Sequence, residues 1–164
     1  MPRIVRSDAS RLDDLEALWL ALREHHLSVT EHWGGARDAR EGWAMRRSVF
    51  GEILDEGGAL LLALDGDGED APIVGFAICE REEGGGSPTW TWPEDFLAIV
   101  DLVVAADRRR QGIGDLLMAE IAVLASELGV AALDVNAAAP NDAARRFYER
   151  HGFRLDHVVY RKPL

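Results

Sequence analysis

The chain has 164 residues, with 29 acidic against 18 basic side chains for a net charge of −11, and a single cysteine. With 48% apolar and 29% charged residues, it has the proportions of one globular domain spanning residues 1–164, long enough to bury a sizeable core. The charge argues against non-specific nucleic-acid binding and for cationic partners, and no apolar run approaches a membrane span. The lone Cys79 excludes an intrachain disulfide or a multi-cysteine metal site, and the lack of a signal-peptide pattern makes a cytoplasmic protein the expectation.

Arg3-Ile4-Val5-Arg6 reads as a short strand. Ser7 and Asp8 then offer a helix cap, and Leu12, Leu15, Leu18, Trp19 and Leu22 recur at three- and four-residue spacing, which predicts a helix to about His25 or His26. A polar, glycine-interrupted loop over 27–40 contains His32-Trp33-Gly34-Gly35, and a second helix runs from about Asp38 to Leu54. The apolar run Ala59–Leu64, the Gly/Asp cluster 65–70 and the run Pro72–Glu80 together predict an antiparallel hairpin. Cys79 lies inside the second run and reads as a buried structural thiol. The stretch 82–93 has three adjacent glycines and two tryptophans, Trp90 and Trp92, and reads as an exposed crossing loop. Its tryptophans either wall a substrate pocket or pin the loop to the sheet.

The chain is organised around the next stretch. A β-type run to Val104 leads into Arg108-Arg109-Arg110-Gln111-Gly112-Ile113-Gly114, and an amphipathic helix over Leu116–Leu128 begins directly behind it, closed by Gly129. A strand, a glycine-bearing turn and a helix N-terminus make an anion-binding arrangement. Unpaired backbone N–H groups and the positive end of the helix dipole face the turn, and the arginines add charge. A phosphate-bearing cofactor is the natural occupant. A GxGxxG dinucleotide fingerprint needs a glycine where Leu117 stands, and a P-loop needs Gly-Lys-Ser/Thr, so neither is present.

Downstream, Val130–Val135 predicts a strand. Asn141 or Asp142 then caps a helix through His151, closed by Gly152, and 154–161 alternates into a last strand. Arg-x-x-Gly-x-Gly behind Leu102 and Val104, followed at a distance by Asn141-Asp142-Ala143-Ala144-Arg145-Arg146-Phe147-Tyr148-Glu149 and Gly152-Phe153, resembles the acetyl-CoA pyrophosphate loop and following helix of the GNAT family of N-acetyltransferases. The match covers roughly Leu97 to Phe153. The resemblance implies an α/β GNAT fold, with a central mixed, largely antiparallel sheet of six to seven strands and about four helices. It also implies acetyl-CoA as acetyl donor, direct attack of an amine in a ternary complex and no metal, and it allows a homodimer.

Residue by residue, the resemblance places the cofactor against Leu102, Val103, Val104, Arg109, Arg110, Gln111, Gly112, Ile113, Gly114, Asn141, Ala144 and Tyr148. It gives the Tyr148 hydroxyl the task of reprotonating the CoA thiolate, a step that suits a neutral phenol. The alternative for Tyr148 is a core aromatic, and for Asn141 a helix cap. Asp101 interrupts an apolar strand and is the first candidate for general base and acceptor contact, with exposure at a strand end as the alternative. Asp134 is a weaker candidate, and Ala98 stands near where many family members carry a glutamate. His25, His26 and His32 form no metal spacing.

An acidic protein whose basic residues serve the cofactor loop leaves an acidic acceptor side. With Trp33, Trp90, Trp92 and Asp101 around the acceptor, that predicts a small cationic amine. The alternatives are a protein N-terminal or lysine acetyltransferase and a non-catalytic CoA-binding sensor.

Overall fold

The computed structural model describes residues 2–30, 35–68, 70–84, 88–89, 91 and 95–162. One five-stranded sheet runs through it in chain order: β1 (Arg3–Ser7), β2 (Ala59–Leu64), β3 (Ile73–Glu83), β4 (Asp95–Val104) and β5 (Ala132–Val135). The first three pairings are antiparallel and β4–β5 is parallel, so the sheet is mixed and mainly antiparallel. The parallel pair needs a crossover, which helix α3 (Ile113–Leu128) supplies.

Two apolar layers flank the sheet. A 3₁₀ turn (Ala9–Leu15), α1 (Glu16–Val29) and α2 (Ala39–Asp55) cover one face, where Leu12, Leu15, Trp43, Phe50 and Ile53 meet Leu60, Leu62, Phe76 and Val103. α3 and α4 (Asp142–Arg150) cover the other, where Ile113, Leu117 and Ile121 meet Leu61, Ala77, Cys79, Leu97 and Ile99. The alternation of β2, with Leu61 on one face and Leu60 and Leu62 on the other, explains why this strand is apolar throughout: both faces are covered. On the α2 face a chain of rings, Trp19–Trp43–Phe50–Phe76, runs down to the sheet with centroids 5.7, 6.4 and 6.1 Å apart.

Local signals set the helix ends. Asp38 Oδ1 accepts from the Arg40 and Glu41 N–H groups at 3.0 and 3.1 Å, Gly129 closes α3 in the left-handed region at φ +67°, and Gly152 follows α4 at φ +86°. Asp8 caps a 3₁₀ turn rather than the α-helix itself, which begins only at Glu16.

Among the described residues the sheet has five strands, not six or seven. The expected last strand at 154–161 does not form: Leu155, Val158, Val159 and Tyr160 are exposed and the segment pairs with nothing described. An apolar alternating pattern becomes a strand only against a partner edge, and none of the five described strands takes up this segment.

Candidate active site

β4 carries the site because it is irregular. Across β3 its register runs Cys79↔Ile99 and then Ile78↔Asp101, so Val100 is an extra residue and β4 bulges there. The extra residue inverts the alternation. Leu97 and Ile99 face α3, but Asp101, which would have followed them, is paired with α2, while Leu102 and Val104 return to the α3 side.

β5 also leaves β4 at this point. Their pairing ends at Ile99↔Val135, whereas β4 continues to Val104 against Gly75. The edge of residues 100–104 turned away from β3 therefore has no partner strand among the described residues. Backbone donors and acceptors left open in a sheet are a place for an extended ligand to bind.

Beyond this edge lies the turn. Arg110 and Gly112 are both left-handed, at φ 62° and 80°, and α3 starts at Ile113. The first intrahelical bond runs from Leu116 N–H to Gly112 C=O at 3.0 Å, so the preceding amides are unclaimed by the helix and face the turn. A Cβ built at Gly112 meets nothing within 4 Å. Backbone conformation demands glycine there, and the space in front of the turn is open, as a phosphate cradle requires. Gly114 has a different reason: a Cβ would come within 3.1 Å of the Phe147 ring, so this glycine lets α3 and α4 approach each other.

The turn's arginines divide. Arg108 is tied to Asp65 at 2.8 Å, while Arg109 and Arg110 are exposed. Ile113 and Val103 are buried in the two cores, so they can offer only backbone to a ligand, and Leu102, Val104 and Ala144 are half-buried.

Helix α4 forms the other wall. Asn141 is buried and its Oδ1 accepts from Ala144 N–H at 3.2 Å, so capping is what its side chain does here. Further along the helix, Tyr148 packs edge-on to Phe153 with ring centroids 5.5 Å apart. Its hydroxyl makes no hydrogen bond among the described residues. Burial first, then the neighbouring Asp101 charge and Cys79, push the phenol up to about 12. It is thus a protonated donor throughout the neutral range. Burial likewise pushes the Cys79 thiol up to about 12, which suits packing and not nucleophilic attack.

Asp101 is buried and held at two points by Arg46 of α2: Nε donates to Oδ2 at 3.1 Å and Nη2 to Oδ1 at 2.6 Å. Burial raises its pKa, and Arg46 and then His26 oppose the rise. The pair forms part of the wall of a cavity of about 410 Å³ between α1, α2 and β4, whose other walls include Trp19, Leu22, Leu27, Met45, Val49, Arg23 and Arg37. Gly42 lets α1 and α2 close around it, since a Cβ there would lie 3.2 Å from the Trp19 ring.

Tyr148 and Asp101 thus come together at the start of the open β4 edge, with the turn at its far end. Asp134 does not join them: it is exposed and accepts from the Val135 N–H at 2.9 Å. His32, Trp33, Trp90 and Trp92 lie outside the described residues. No group of three or more metal-ligating side chains occurs among the described residues.

Sequence reasoning missed Arg23, Arg37, Arg46 and Trp19. The arginines also remove the premise that the basic residues serve only the cofactor loop. A signal for Arg46 was present: it sits on the stripe Trp43, Arg46, Phe50, Ile53, where a charge at a buried position needs a partner.

The family model described as "Acetyltransferase (GNAT) family" matches residues 17–153. No curated protein matches the chain. Among solved structures, a mutant of the BH1408 protein from Bacillus halodurans superposes with a TM-score of 0.82 at 21% identity, over 99% of each chain. AAC(6')-Iy, solved with a CoA-containing bisubstrate analogue of acetylneamine, gives 0.69 at 17% identity over 100% of this chain and 99% of its own. The aminoglycoside 6'-N-acetyltransferase AAC(6')-Ih from Acinetobacter baumannii gives 0.67 at 20% identity over 100% and 99%. These likenesses establish the fold along the whole chain. With the family model spanning most of its length, including the turn at Arg109–Gly114 and the bulged β4, the chain belongs to the GNAT acetyltransferase family.

Proposed function

We propose that this protein transfers the acetyl group of acetyl-CoA to the amine of a small molecule by direct attack in a ternary complex. One observation carries the reading. The edge of β4 at residues 100–104, which has no partner strand among the described residues, runs from the anion turn at Arg109–Gly114 to the place where Tyr148 and the Asp101 cavity meet. Phosphates suit the turn, the pantetheine arm can take up backbone hydrogen bonds along the edge, and the thioester would lie between the phenol and the cavity.

The residues then divide the chemistry. The turn amides, Arg109 and Arg110 bind anionic oxygens, and Asp101 receives hydrogen bonds from the acceptor ammonium and draws off its proton, directly or through water. The amine nitrogen forms the new C–N bond as the C–S bond breaks, the departing thiolate takes its proton from Tyr148, and the second proton that the amine loses in becoming an amide restores the phenol through water. No covalent enzyme species is needed, and the buried Cys79 offers none. The cavity volume of about 410 Å³ is that of a small-molecule pocket and favours such an acceptor over a protein chain.

Initial rates with both substrates varied test the order of events. Intersecting double-reciprocal lines are expected of a ternary complex, and parallel lines would overturn direct attack.

A further inference from the structure

The acceptor cavity is not acidic. Among the described residues that line it, Asp101 is the one carboxylate, and three guanidiniums, Arg23, Arg37 and Arg46, share the walls with it. Arg46 pairs with Asp101, which leaves Arg23 and Arg37 as lining guanidiniums with no carboxylate partner on the cavity wall among the described residues. The acids that pair with the other two arginines do not line it. Glu24 meets Arg23 Nη1 at 2.6 Å and Glu41 meets Arg37 Nη1 at 2.6 Å, and both glutamates are turned to solvent. Each guanidinium has five N–H donors, so one acid leaves several available to a ligand.

Arg23 is also fixed in place. Its side chain is only 17% exposed, its Nη2 donates to the Arg37 carbonyl, and its Nε lies beside Gly42. A guanidinium immobilised over a largely apolar cavity has already paid its ordering entropy, which is what an anion-recognising residue requires. A wholly cationic acceptor would find one carboxylate there against three guanidiniums.

We propose that the acceptor is a zwitterionic, amino-acid-like amine: its ammonium at Asp101, its carboxylate at Arg23 and Arg37, and an apolar body against Trp19, Leu22, Met45 and Val49. This deepens the transferase reading and rests on it. Asp101 has room for the ammonium because its two oxygens offer about four lone-pair positions and Arg46 takes two. The apolar walls favour an apolar body: a further ammonium group against Trp19, Leu22, Met45 and Val49 would be desolvated with no carboxylate to meet it.

The test is a matched panel offered to the wild-type protein with acetyl-CoA, following both product formation and calorimetric binding to the CoA-loaded protein. It comprises leucine, methionine, phenylalanine, β-alanine and 6-aminohexanoate, their amides, the corresponding decarboxylated amines, spermidine and kanamycin. The free acids should exceed their amides in kcat/KM by about ten- to a hundredfold, the worth of one or two charge-assisted hydrogen bonds. Arg23→Gln and Arg37→Gln should each narrow that ratio, with Kd for CoA unchanged. Arg47→Gln should not alter it, since Arg47 pairs with Asp13 outside the cavity.

Amides, spermidine or kanamycin used as well as or better than the acids would overturn the anion subsite and leave acetyl transfer standing. If CoA binds but no member of the panel is acetylated, acetyl transfer falls. Preferential calorimetric binding of the acids in that case would uphold the anion subsite alone, and indifference would overturn both.

Discussion

Asp101 is a carboxylate that folding takes out of water, and Arg46 is what makes that tolerable. Removing one partner of such a pair strands the other. Arg46→Met should cost about 2–3 kcal/mol, below the figure for a fully buried pair because the Arg46 side chain is 31% exposed. The double variant Arg46→Met/Asp101→Leu should recover most of the loss in chemical denaturation; a double variant no more stable than the single one would mean that the pair is not the source of the cost. A pH effect comes from the same burial. Asp101 is raised above its ordinary value, so the folded protein holds this proton more tightly than the unfolded chain. Its contribution to stability therefore falls as pH climbs from the unfolded value of about 3.9 toward the folded one. Denaturation midpoints of wild type and Asp101→Asn, compared from about pH 4 to pH 7, should drift in favour of the variant as pH rises. A constant difference would show that burial does not perturb this group. The sequence marked Asp101 and Tyr148 as anomalies worth a role, because a charge in an apolar strand and a tyrosine in a motif are visible one residue at a time. The partner Arg46 was harder to see, since it lies 55 positions away on another element.

At the level of elements, two glycines separated by one residue do different work, and substitution should tell them apart. Gly112 is left-handed with open space before it, so Gly112→Val should strain the turn and remove CoA affinity, with the α3–α4 packing intact. Gly114→Val would press on the Phe147 ring and should destabilise the fold by about 1–3 kcal/mol through overpacking. Calorimetry with CoA and thermal melts on both variants check this; wild-type CoA affinity in Gly112→Val would count against the cradle. The two glycines look alike in a motif, and only the neighbour of each, solvent or an aromatic ring, distinguishes them. Element order was legible for the same reason that these elements form: period-2 and period-3.6 patterns bounded by Asp38, Gly129 and Gly152 record burial and capping directly. The bulge at Val100 was not legible, because a register shift is decided between strands. The tail at 154–161 shows the converse, a strand-like pattern that pairs with no described strand.

For the molecule as a whole, net charge misleads about the site. A chain at −11 gathers Arg23, Arg37 and Arg46 at one cavity, because local pairing and burial, not the global sum, decide which charges face a ligand. The central claim is acetyl transfer at the open edge of β4. The measurement that tests it most directly is simultaneous detection of free thiol and acetylated amine, from acetyl-CoA and the matched amine panel, in wild-type and Tyr148→Phe protein. The expected result is one acetylated amine per thiol released, dependent on the amine, with turnover in Tyr148→Phe reduced by about 10²- to 10⁴-fold and its CoA affinity kept. Thiol release indifferent to amine, or no release from folded protein that binds CoA, would contradict it.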